Sequence, residues 1–87
     1  MSQRTIRMII KEQEPVTAPA TMTVSEAARL MKQRRVGAIM VVEEGALAGI
    51  FTERDALIRV LAEGRDVQTT RLADVMTRNP KTIHPDR

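Results

Sequence analysis

The stretch that most restricts the fold is residues 36–51. VGAIMVV, residues 36–42, is a continuous apolar run rich in β-branched side chains, and LAGIF, residues 47–51, resumes that character after Glu43-Glu44-Gly45. Short apolar runs separated by a turn signal read as strands, and so brief a connection makes the pair an antiparallel hairpin. VGAIMVV holds no polar side chain, so its strand is expected to be covered on both faces. A lone hairpin is marginal in water, so the flanking segments have to supply the cover.

Both flanks read as helices. Thr23-Val24-Ser25-Glu26 has the spacing of a capping box, and Val24, Ala27, Ala28 and Met31 follow on one face. Arg29, Lys32 and Gln33 take the opposite face, and the helix gives way at Arg35-Val36-Gly37. After the hairpin, Thr52 opens a second helix over 53–63, with Ala56, Leu57, Val60 and Leu61 as its expected buried face and Gly64 as its C′ residue. Ahead of the first helix, PVTAPATMTV carries Pro15 and Pro19 and reads as extended. TIRMII, within residues 1–14, fits a strand or a helical turn equally. Residues 64–70 form a polar link, RLADVM (71–76) one or two helical turns, and NPKTIHPDR a further extended piece.

The last two pieces resemble the first. RMIIKEQEPVTAPAT lies over DVMTRNPKTIHPDR with Pro15 against Pro80, and Pro19 meets Pro85 after a slip of one residue. A second copy of the unit is therefore expected to begin near residue 71, with the sequence stopping where its helix should start. The fold class is α/β (α+β): an extended entry, a helix, a β-hairpin and a second helix packed on a small sheet. The expected segments are an entry at 1–14, a first unit at 15–64, and a linker with the start of a second unit at 65–87.

The chain has 87 residues, which suits one domain. A chain of that length buries only about 60–65% of its unfolded surface. With no cysteine, no tryptophan or tyrosine, one phenylalanine and one histidine, the core has to be built from Ile, Val, Leu, Ala and Met, including Met31 and Met40. A second copy of the chain is the simplest supplement, so a homo-oligomer, most simply a dimer, is expected. The absence of cysteine excludes a thiol nucleophile, and His84 has no His or Cys partner for a metal. No nucleophile–base pair stands out, so the chain does not read as an enzyme. The net charge of +3 is carried by scattered residues, with Arg34-Arg35 the only adjacent basic pair. Together with the near absence of aromatics, this makes a nucleic-acid binder the weakest rival. No run of about 18 apolar residues suggests a membrane span. MSQRTIRMIIKEQ has no secretory-signal pattern, which points to the cytoplasm.

In order and spacing, TVSEAARLMKQRRVGAIMVVEEGALAGIFTERDALIRVLAEG resembles a CBS domain, the motif named after cystathionine β-synthase, and LADVMTRNPKTIHPD resembles the entry to a second one. The resemblance implies a tandem arrangement in which two motifs pack sheet against sheet. It also implies a regulatory role and an adenosine-containing ligand: AMP, ADP, ATP or S-adenosylmethionine. No other cofactor is called for.

The corner Gly49-Ile50-Phe51-Thr52-Glu53-Arg54-Asp55 concentrates the candidate chemistry. Thr52 suits an N-cap and Asp55 the first helical turn, where the helix dipole favours an anion. The same carboxylate suits a ribose diol, because its two oxygens match vicinal hydroxyls. Arg54 faces an unfavourable dipole at a helix start, a hint that it meets an anion. The resemblance adds Arg35 as a phosphate contact and Val36, Gly37 and Ala38, with Val16, Thr17 and Ala18 of the entry, as adenine contacts. Thr77, Lys81 and Thr82 belong to the corresponding second entry, which Asp55 is expected to face within the chain. A purely structural or dimerising module that binds no ligand is the leading alternative.

Overall fold

The computed structural model describes residues 15–78. The residues before and after, including Lys81, Thr82 and His84, lie outside the described residues. β1 (Thr17–Pro19) is followed by α1 (Val24–Arg34), then the hairpin of β2 (Ala38–Glu43) and β3 (Ala46–Thr52). Helix α2 begins as one α-helical turn, Glu53–Asp55, and continues as a π-helical segment, Ala56–Leu61. A single turn, α3 (Leu72–Val75), leads into β4 (Thr77–Arg78). The sheet order is β1-β2-β3-β4, with β1 parallel to β2 and the other pairs antiparallel.

Local chemistry accounts for the element ends. Thr23 Oγ1 accepts from the Glu26 N–H at 3.2 Å, and Glu26 Oε1 accepts from the Thr23 N–H at 3.1 Å, the expected capping box. At the other end Arg35 adopts a left-handed conformation (φ 58°), which lets the Val36 N–H return to the Met31 carbonyl at 3.1 Å. Gly64 (φ 70°) closes α2 by donating to the Leu61 carbonyl, as its position predicts.

The core lies between the sheet and the helices. Ile39 and Val41 from β2, Ala48 and Phe51 from β3, Val24, Ala27 and Met31 from α1, Val60 from α2, and Leu72 and Val75 from α3 are all buried. Three expectations of the sequence need correction. Ala28 is exposed, because it sits at the edge of the α1 stripe. Leu57 and Leu61 are 55% and 71% exposed. The cause is the π-helical turn: the Ala62 N–H bonds the Leu57 carbonyl and the Arg65 N–H bonds the Val60 carbonyl, both i→i+5. The wider turn breaks the phase that the sequence suggested, so Val60 stays inside while Leu57, Ile58 and Leu61 turn outward. Third, β2 is covered on one face. Ile39 and Val41 are buried, whereas Ala38, Met40 and Val42 on the other face are half-buried. Met40 is accordingly outside the core cluster, whereas Met31 belongs to it.

The polar link is docked against the start of α1. The Val24 N–H donates to the Thr70 carbonyl and the Ser25 N–H to the Val67 carbonyl, each at 2.9 Å. Backbone donors at the start of α1 are thereby satisfied by the link, which ties β4 to the rest of the unit.

Candidate functional site

The strand register assembles the site. Thr17 pairs with Met40, Met40 with Ile50, and Ile50 with Thr77, so these four residues form one row across all four strands. Two residues further along β2 and β3, Ala38 pairs with Thr52. Paired residues share a face, so Thr17, Ala38, Thr52 and Thr77 stand on the side of the sheet away from the helices. Val16 and Ala18 have the opposite parity and are buried in the core. What they offer a ligand is backbone, and the Val16 carbonyl already accepts from the Met40 N–H at 2.8 Å.

Asp55 is at the end of this face and is 6% exposed. Thr52 caps α2 by accepting from the Asp55 N–H at 3.1 Å. Asp55 Oδ2 in return accepts from the Thr52 N–H at 3.0 Å and from the Thr52 hydroxyl at 3.1 Å. Oδ1 accepts from the Thr77 hydroxyl at 3.1 Å and faces Arg59 Nε at 3.5 Å. Asp55 therefore does more than cap a helix: it joins β3, α2 and β4. The resemblance has Asp55 face Thr77, Lys81 and Thr82; Thr77 is hydrogen-bonded to it directly, and Lys81 and Thr82 lie outside the described residues.

Arg59 is a neighbour of Asp55 that the sequence reading did not name. Its Nη1 donates to the Met76 carbonyl at 3.2 Å while its Nε faces Asp55, so one guanidinium spans α2 and the start of β4. The signal was present, because Asp55-x-x-x-Arg59 has the i,i+4 spacing of a helical ion pair.

The remaining candidates lie apart from Asp55. Arg35, Val36 and Gly37 line a cavity of about 470 Å³ with Lys32, Phe51 and Glu53. Val36 and Gly37 precede β2 rather than belonging to it, and the Gly37 carbonyl accepts from the Glu53 N–H at 3.1 Å. Asp55 and Thr77 do not line this cavity. Arg54 is exposed and makes no ion pair among the described residues. Within the described residues no group of three or more His, Cys, Asp or Glu is placed to hold a metal ion. No described helix is long and apolar enough to cross a membrane.

The family model for the CBS domain matches residues 6–62. The CBS domain-containing protein YhcV of Bacillus subtilis is 51% identical over 61 residues, covering 70% of this chain and 43% of that protein. Among solved structures, a putative signal-transduction protein with CBS domains from Burkholderia ambifaria has a TM-score of 0.72 at 33% identity, covering 76% of this chain and 48% of that one. A hexameric CBS-CP12 protein from bloom-forming cyanobacteria has a TM-score of 0.68 at 32% identity, covering 76% of this chain and 38% of that one. The chain thus spans less than half the length of each of these three proteins. With the family model matched across both helices and the hairpin, and the fold shared with these structures, the chain belongs to the CBS domain family.

Proposed function

We propose that the chain is a regulatory, non-catalytic module that senses an adenosine-containing ligand, AMP, ADP, ATP or S-adenosylmethionine, with Asp55 holding the ribose diol. The observation that carries this reading is a buried carboxylate at the end of the open sheet face, in line with Thr52, Ala38, Thr17 and Thr77. A ribose against Asp55 lays its base along the half-buried row of Met40 and Ile50, which supplies apolar surface beside exposed threonines. Arg35 and Lys32 line a separate cavity with Glu53, and in this reading they serve a ligand held by another motif rather than by this Asp55. Residues 15–64 form the first motif in this reading, 65–87 lead into a second, and the cytoplasm supplies the nucleotide.

Calorimetric titration with the four ligands tests the reading. Asp55→Asn keeps the shape of the side chain and removes its charge, and it is expected to weaken binding at least about tenfold, the loss of one charge-assisted hydrogen bond. Heat of equal size in both proteins would place the ribose elsewhere. One observation favours a second reading, a purely structural or dimerising module: the oxygens of Asp55 already accept from protein donors. No heat with any of the four ligands would establish it.

A second copy of the chain is the proposed partner. Leu57, Ile58 and Leu61 present apolar side chains from α2 to solvent, and surface of this kind is normally covered. Leu61→Lys is expected to weaken self-association by about tenfold or more in sedimentation experiments, from the lost burial of one leucine. A variant that sediments as the parent does would remove α2 from the interface.

A further inference from the structure

Asp55 accepts three hydrogen bonds and forms an ion pair with Arg59, and these partners bear on how its site is used. A carboxylate offers about four acceptor positions. The Thr52 N–H and hydroxyl take those of Oδ2, while the Thr77 hydroxyl and Arg59 Nε converge on Oδ1. The Thr52 N–H belongs to the α2 capping box and cannot leave without undoing the start of that helix. The donors on Oδ1 are different. Thr77 comes from β4, which is only two residues long and joins the sheet by the pairs Gly49–Arg78 and Ile50–Thr77. Arg59 is a half-exposed side chain whose other contact is the Met76 carbonyl, one residue before β4. Both partners of Oδ1, the Thr77 hydroxyl and the Arg59 guanidinium, thus fasten the same strand.

We propose that Asp55, Thr77 and Arg59 form a latch, in which a ribose diol gains Oδ1 only by displacing the Thr77 hydroxyl, so that ligand binding loosens β4 from β3. The proposal rests on the reading of Asp55 as the ribose carboxylate. Its outcome is directional. β4 pairs with β3 alone, so occupancy of the corner is converted into a change in how Thr77 and Arg78 are held. Opening the latch is a cost that the ligand bears, and apparent affinity is the intrinsic affinity multiplied by the fraction of molecules already open.

Thr77→Val tests this, because valine keeps the β-branched shape and removes the donor. Titrations of wild type and variant with AMP, ADP, ATP and S-adenosylmethionine are read beside backbone hydrogen exchange at Gly49, Ile50, Thr77 and Arg78. The variant is expected to bind at least roughly tenfold more tightly, the worth of one hydrogen bond to a charged group that no longer has to be broken. In the wild type, saturating ligand is expected to speed exchange at those amides. Equal or weaker binding by Thr77→Val, or ligand-induced protection of β4, overturns the latch while leaving the ribose site standing. Absence of binding by either protein removes the ribose site and the latch with it.

Discussion

Phe51→Ala is expected to lower unfolding free energy by about 3–5 kcal/mol, the usual cost of emptying a phenylalanine site in a core. Phe51 is the only aromatic residue of the chain and is 0% exposed. It pairs with Ile39 across the hairpin and packs with the buried faces of the helices. The remaining core is made of smaller side chains, among them Ala18, Ala20, Ala27 and Ala48, which are too short to fill the space a phenylalanine leaves. A domain of this size has a total stability near the low end of the usual ~5–15 kcal/mol. The melting midpoint should therefore fall by about 12–40 °C, at roughly 4–8 °C per kcal/mol for so short a chain. Urea and thermal unfolding followed by circular dichroism provide the measurement, with Phe51→Leu expected to lose less than half as much. A loss below about 1 kcal/mol would mean that Phe51 does not anchor the core.

Phe51 also shows what the sequence makes legible. The hairpin, its turn and the caps at Thr23 and Thr52 are encoded by neighbouring residues, so local rules find them. Glu26 and Asp55 each stand three residues after the capping threonine, and both capping boxes form. Leu57 and Leu61 mislead because helical periodicity presupposes an α-helix, and the π-helical bonds from Ala62 and Arg65 shift the phase. The row Thr17-Met40-Ile50-Thr77 depends on strand register, with an irregularity between Val41 and Val42 that no alternation of residue types announces. The closeness of Asp55 and Thr77, 22 positions apart, came from resemblance to a family and not from any pattern within the chain. Arg59 was accessible to reasoning through its spacing from Asp55, but only its reach to the Met76 carbonyl gives that spacing a role.

Gly49→Ala carries the second large effect, and it acts through the latch. A Cβ at Gly49 would run into the Thr77 carbonyl oxygen and stand 3.1 Å from Arg78 Cα, so backbone has to move. β3 is held on its other side by β2 over six paired positions, whereas β4 is held by two, so β4 is the strand that leaves. The expected cost is about 2–3 kcal/mol, that of forcing an atom into closed packing. Trypsin should cut after Arg78 and Arg71 much faster than in the parent. Moving β4 also withdraws the Thr77 hydroxyl from Asp55. Damage spread through the fold would lower stability and nucleotide affinity together. Release of the latch predicts the opposite pairing, a lower melting midpoint with tighter binding, because part of the opening cost has been met before the ligand arrives. Unchanged melting and unchanged cleavage would show that β4 does not press on Gly49. Lower stability with weaker binding would keep the close approach and refute the competition between Thr77 and the ribose.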